Sequence, residues 1–192
     1  VEAYQLRGDA YHRLGEHDQA VLHYREGLKW DPEHKGCKVG HKRVKALEKK
    51  KNKGQEAYDK RDYEAATDLW TKAMEIDPTH DAFNRPLTLM LSRAYSRLKN
   101  HEKAMEIAQQ HIDVAESIEG LWALGEAQQA GEKYQEAVQT FQKAVEIANE
   151  GEEKKEANEK VKASQVALKQ SKEKNYYKIL DIPRNADTKE VK

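Results

Sequence analysis

Small and aromatic residues return along this chain at helical intervals, in stretches separated by short polar breaks. Tyr4, Gly8 and Tyr11 stand three or four apart in the first stretch, and Ala20 and Tyr24 four apart in the second. That spacing puts them on one face of an α-helix, whereas a half-buried strand would alternate. Gly15-Glu16 breaks the pattern between the two stretches. Asp31-Pro32 ends the second, because the proline ring cannot continue the helical hydrogen-bond ladder. The prediction is a pair of antiparallel helices, small where they cross (Gly8, Ala20) and filled beside the crossing by Tyr11 and Tyr24.

The pair recurs in phase. A second unit has Gly54, Tyr58, Tyr63, Ala66, Trp70, Ala73 and Asp77-Pro78. A third has Leu91, Ala94, Tyr95, Leu98, Ala104, Ala108 and Val114, and a fourth has Leu124, Gly125, Ala127, Tyr134, Ala137, Phe141 and Ala144. This is the tetratricopeptide pattern of about 34 residues, two helices per repeat. The expected fold class is therefore all-α, a tetratricopeptide-repeat solenoid, with units at residues 1–34, 48–81, 84–117 and 118–150. The third is degenerate: Ser92 stands where glycine is wanted and no proline closes it. The matching alanines, Ala20, Ala66, Ala104 and Ala137, lie 46, 38 and 33 residues apart. The excess in the first gap lacks proline and keeps a stripe of Cys37, Val44, Leu47 and Gly54. It predicts one linking helix over residues 35–60, about 38 Å long at 1.5 Å per residue. The smaller excess, near Thr79 to Arg85, lengthens a loop or a helix start. Ala157, Val161, Ser164 and Leu168 predict a capping helix over residues 152–174, polar on its outer side.

Charge narrows the function. Lys plus Arg number 34 and so do Asp plus Glu, for a formal net charge of zero over 192 residues. Nucleic-acid binding wants a basic excess, so no nucleic-acid partner is expected. Dense, balanced charge suits long exposed helix faces. No run approaches the ~18 apolar residues of a membrane span, and the lone Cys37 excludes an internal disulfide. His34, Cys37 and His41 fall on one helix face, but no fourth ligand accompanies them and no metal is expected there. His12, His17, His23, His80, His101 and His111 look scattered. No nucleophile motif, carboxylate dyad or glycine-rich phosphate loop appears. The expectation is a binding surface with no catalytic residues and no cofactor.

In this architecture the first helix of each pair lines a concave groove. The phase assigns Tyr58, Leu89, Arg93, Arg97, Trp122 and Gln129 to it. Trp122 either anchors a partner beside an arginine or packs on the neighbouring repeat. Trp30 and Trp70 fall at helix-packing positions. Positions that in some arrays grip a C-terminal carboxylate hold Gln5, Asp9, Lys51, Gln55, Met90, Glu119 and Ala123, so no carboxylate clamp is expected.

Residues 175–192, NYYKILDIPRNADTKEVK, resemble the opening of a J domain, the Hsp70-stimulating module. Tyr176-Tyr177-Lys178-Ile179-Leu180 matches its first short helix. Pro183, Asn185 and Ala186 match the following loop, and Asp187 or Thr188 would cap the second helix. The His-Pro-Asp of that module would fall beyond Lys192. Repeats followed by such a segment resemble the tetratricopeptide J-domain co-chaperones of the 58-kDa kinase-inhibitor type. Arg25-Glu26-x-Leu28-Lys29, His34-Lys35-x-Cys37, Lys42-x-Val44-Lys45 and Leu168-Lys169-Gln170-Ser171 also match that family, whereas Pro32 and Lys49-Lys50-Lys51 depart from it. The resemblance implies repeats that bind unfolded clients or a protein kinase, and a complete J domain that recruits a BiP-type Hsp70. It implies the endoplasmic-reticulum lumen, with the cytosol as alternative. A scaffold that regulates a kinase or assembles a complex without chaperoning is the other reading.

Overall fold

A computed structural model describes residues 1–179, with side chains through residue 173. All regular structure among the described residues is helical: α1 (Glu2–Arg13), α2 (His17–Trp30), α3 (Lys35–Asp59), α4 (Tyr63–Met74), α5 (Asp81–Arg97), α6 (His101–Val114), α7 (Ile118–Ala130), α8 (Tyr134–Ile147) and α9 (Glu152–Ile179). The chain forms two compact units, Val1–Asn100 and the residues from His101 onward. The division falls inside the span read as the third repeat, between α5 and α6. The segment matched to a J domain lies outside the described residues from 180 on, and residues 174–179 continue the backbone of α9.

In the first unit α1 and α2 form a helix pair, α3 packs on both, α4 pairs with α3, and α5 packs on α4. The close approach of α1 and α2 depends on Gly8: a Cβ there would stand 2.5 Å from the Tyr24 ring. Tyr24 is fully buried among Ala20, Cys37 and Val44, and its hydroxyl donates to Asp9 Oδ1 at 2.6 Å. Burial, reinforced by Asp9, pushes the Tyr24 pKa above its ordinary value of 10. The ring also lies against Gly40 of α3, where a Cβ would overlap it. Gly8, Tyr24 and Gly40 are thus one side-chain layer through three helices. In the α3–α4 pair, Gly54 accommodates Trp70, whose indole N–H donates to the Lys51 carbonyl at 3.1 Å.

α3 runs unbroken for 25 residues. Cys37, Gly40 and Val44 face the first pair, and they and Leu47 are buried. The His34 side chain caps the helix, Nδ1 accepting from Cys37 N at 3.3 Å. Asp62 caps α4 through Ala65 N at 3.1 Å. The excess near Thr79 to Arg85 is a helix start: α5 begins at Asp81 and carries Pro86 in its second turn. Trp30 departs from its expected packing role and is 73% exposed. The buried stripe of α2 is Ala20, Tyr24 and Gly27, and Trp30 sits about 90° round the helix from it.

In the second unit α6, α7, α8 and α9 pack each on the next. Gly125 receives Phe141, with a Cβ at 125 placed 2.6 Å from the ring. Ser117 caps α7 through Gly120 N at 3.2 Å. The core joins Ile118, Leu121, Ala144, Ala148 and Ala157, so α9 enters through its alanine. Along α9, Ala157 and Ser164 are fully buried, and Val161 and Leu168 are half-buried.

Candidate binding groove

The first unit holds a groove of about 690 Å³. One wall is α1, which presents Gln5, Asp9, His12 and Arg13 at helical spacing. The other is the start of α3, with Gly36, Val39, Gly40 and Arg43. Asp77, Thr79, His80, Asp81 and Ala82, from the α4–α5 connection and the first turn of α5, close one end. Gly36 and Gly40 keep the α3 wall low; a Cβ at Gly36 would overlap the Gln5 amide. Three carboxylates (Asp9, Asp77, Asp81) face two guanidiniums (Arg13, Arg43). Gln5 Nε2 donates to Asp9 Oδ2 at 3.2 Å, and Arg43 spans Asp9 at 3.9 Å and Asp77 at 3.8 Å. His12 Nε2 meets Asp77 Oδ2 at 2.9 Å. Thr79 donates to Asp77 Oδ1 at 3.1 Å, and Asn84 to the Asp77 carbonyl at 2.9 Å.

Electrostatics follow from this arrangement. Burial raises the Asp77 pKa, but the hydrogen bonds from His12 and Thr79 and the charge of Arg43 outweigh it, and its carboxyl is held below the ordinary value. Burial lowers His12, against the bond to Asp77. Burial likewise lowers His80, with the neighbouring His12 and His17 adding to the shift, to about 4. These imidazoles are neutral at pH 7. A second set of contacts runs beneath the groove: His17 Nδ1 to Glu48 Oε1 at 2.6 Å, and His17 Nε2 to His80 Nε2 at 2.8 Å.

The residues assigned to a groove by phase divide between the two units. In the first unit, Tyr58 is half-buried and packs edge-on to Tyr63 and tilted to Trp70, at 5.2 and 5.7 Å between ring centres. Leu89 is half-buried, while Arg93 and Arg97 are exposed on α5. None of these four lines the groove of α1 and α3. In the second unit, Trp122 packs against the Ile118–Leu121–Ala144 core, and Lys160 of α9 lies 5.1 Å over its ring. Lys160 also pairs with Glu126 at 2.9 Å. Gln129 is half-buried.

Gln5 and Asp9, the clamp positions of the first repeat, do line the groove. An aspartate there repels a carboxylate. Lys51 instead pairs with Glu48 at 3.6 Å and Gln55 donates to Asp59 at 2.8 Å. His34 is engaged as a helix cap. Cys37 is fully buried, and burial foremost raises its thiol pKa. The sequence offered no sign of the groove's histidines, His12 and His80, or of His17 beside them, because the three share no motif spacing; Asp77-Pro78 was visible only as a helix stop.

The model for the tetratricopeptide repeat matches residues 1–34, 88–117 and 118–150. Along its whole length the chain is 34% identical to the DnaJ protein P58IPK homolog of Arabidopsis thaliana and 32% to the DnaJ homolog subfamily C member 7 homolog of Schizosaccharomyces pombe. It spans 39% and 40% of those relatives' lengths. It is also 30% identical, over 91% of the chain and 35% of the relative, to the human DnaJ homolog subfamily C member 7. Among solved structures, the P58(IPK) TPR domain superposes on 88% of this chain and 47% of its own, with a TM-score of 0.75 at 26% identity. Yeast Tom70 shares the fold at a TM-score of 0.55 and 19% identity, over 88% of this chain and 40% of its own. With the repeat model covering half the residues, and glycine-for-aromatic locks at Gly8, Gly54 and Gly125, this chain belongs to the tetratricopeptide-repeat family, and its homologues are DnaJ-family proteins.

Proposed function

We propose that this chain is the repeat array of an Hsp70 co-chaperone: it holds non-native polypeptides, and a complete J domain following the repeats stimulates ATP hydrolysis by a BiP-type Hsp70. The array performs no chemistry of its own. The proposed compartment is the endoplasmic-reticulum lumen, with the cytosol as alternative. Similarity along the whole of this chain to DnaJ-family relatives, of which it spans 39–40%, supports the co-chaperone role. The groove of the first unit is the observation that carries binding. It is bordered by Val39 at 62% exposure and rich in side-chain donors and acceptors for a peptide backbone.

The test is aggregation of chemically denatured luciferase, followed by light scattering. Suppression by the 192-residue chain, lost in the Val39→Asp/Arg43→Glu variant with helicity intact, is the expected result. Extending the chain through a full J domain should then accelerate Hsp70 ATPase, and changing the His-Pro-Asp should abolish that effect. The mainly polar lining favours a second reading, a scaffold that binds a charged segment of a folded partner such as a protein kinase. An array that leaves aggregation unaltered but captures a folded kinase would replace the first reading with the second.

A further inference from the structure

We propose that His12, His17 and His80 form a binding site for a divalent transition metal, Zn²⁺ foremost, that staples α1, the start of α2 and the start of α5. The three side chains are 3%, 6% and 5% exposed, and one ring nitrogen of each lies within 4.8 Å of those of the others. Each comes from a different element: His12 from the last turn of α1, His17 from the first residue of α2, and His80 from the N-cap of α5.

Two carboxylates back the imidazoles. Glu48 Oε1 takes His17 Nδ1 at 2.6 Å, and Asp77 Oδ2 takes His12 Nε2 at 2.9 Å. A metal-binding histidine characteristically donates its far N–H to a carboxylate, which fixes the tautomer and leaves the other nitrogen as the donor to the ion. By that inventory His17 offers Nε2 and His12 offers Nδ1. His12 Nδ1 is buried with no hydrogen-bond partner. Without a metal, a relay from Glu48 through His17 engages His80 Nε2 but leaves His12 Nδ1 orphaned. A cation held by all three satisfies the set.

The His17–His80 separation is near what a tetrahedral ion needs. Zn–N bonds of about 2.0–2.1 Å place ligand nitrogens about 3.3–3.4 Å apart. The 2.8 Å between His17 Nε2 and His80 Nε2 must therefore open by about half an ångström. His80 can supply that movement, since its side chain makes no capping bond to α5. Three neutral nitrogens select zinc, cobalt, nickel or copper over magnesium and calcium. Glu48 and Asp77 balance the dication, while Arg43, 3.8 Å from Asp77, works against it.

The tag-free 192-residue chain, stripped with chelator, is titrated with CoCl₂ and then ZnCl₂. One saturating equivalent of Co²⁺, with the intense visible bands of a four-coordinate ion, bleached by one equivalent of Zn²⁺, is expected. Zn²⁺ should also raise the unfolding temperature. Glu48→Gln should weaken binding at least about tenfold and His80→Asn more, whereas His23→Gln and His41→Gln leave it unchanged. Absence of saturable binding by the folded chain, or equal binding by His80→Asn, overturns the proposal. If the variants do not fold, long-range ¹H–¹⁵N spectra of the unaltered chain decide: Zn²⁺ must shift the ring nitrogens of His12, His17 and His80, and a shift of a different set of histidines overturns it.

Discussion

Gly125 and Phe141 show how much one missing methyl does in this fold. The ring occupies the space a Cβ would take, 2.6 Å from where it would sit. Gly125→Ala gains helix propensity, about 1 kcal/mol, but drives the methyl into an aromatic wall, which costs about 1–3 kcal/mol in a packed core. The expected outcome is a net loss of up to about 2 kcal/mol in urea unfolding, largely recovered in Gly125→Ala/Phe141→Leu. The glycines and aromatics sixteen residues on (8 and 24, 54 and 70, 125 and 141) were legible as types in phase; that each ring fills its partner glycine's space was not. The third repeat carries Ser92 and Ala108 at those positions, and within it the division between compact units falls. Tyr24 adds a pH signature. Its folded pKa lies above the ordinary 10, through burial first and then Asp9. Its contribution is therefore fully present below pH 10 and is lost as pH rises above it, because the unfolded chain gives up the proton first. Tyr24→Phe should lose about 1 kcal/mol at pH 7 with its hydrogen bond, and should show a shallower decline in stability between pH 9 and 11, read by chemical denaturation at each pH.

At the scale of elements, four helix ends share one geometry. Gly15, Arg61, Lys99 and Glu132 all have positive φ, between 60° and 81°. The residue after each donates its N–H to a carbonyl five residues back: Glu16 to Tyr11, Asp62 to Ala57, Asn100 to Tyr95 and Lys133 to Gln128. This is the Schellman closure, which favours glycine at the left-handed position. Only the first helix end has glycine there, and the structure says why: a Cβ at Gly15 would meet Ala82 of α5 at 3.2 Å. Gly15→Ala should cost about 1–2 kcal/mol, because the added Cβ crowds Ala82 on top of the left-handed strain. Arg61→Gly should come out near zero, since relief of strain is offset by a freer unfolded chain. Thermal unfolding of the two variants checks the contrast. The sequence revealed the Gly15 turn because glycine marks it. The other three were located only by the alanine spacing, because Arg61, Lys99 and Glu132 carry no local turn signal. α3 was legible for the opposite reason: no proline or glycine pair interrupts its stripe of Cys37, Val44 and Leu47.

At the scale of the molecule, repetition made the fold readable and the site much less so. Each repeat is specified by a few residues in fixed phase, so the pairs α1–α2, α3–α4 and α7–α8 emerge from one pattern. The groove depends on the long-range meeting of α1, the start of α3 and the α4–α5 connection, which no single repeat encodes. Phase alone found Gln5 and Asp9 there. It assigned Tyr58, which packs on Trp70, and Trp122, which Lys160 and the second unit's core cover. His12 and His80 are 68 residues apart in sequence and meet because α5 starts directly after Asp77-Pro78.

The three indoles sit in three different surroundings. Trp30 is open to solvent and Trp70 is sealed, both in the first unit, while Trp122 lies partly covered in the second. Chains keeping one indole at a time therefore emit at different wavelengths and yield differently to acrylamide. Trp70 and Trp122 become separate optical reporters, one for each half of the chain, and their melting curves register whether the halves come apart in one step or two.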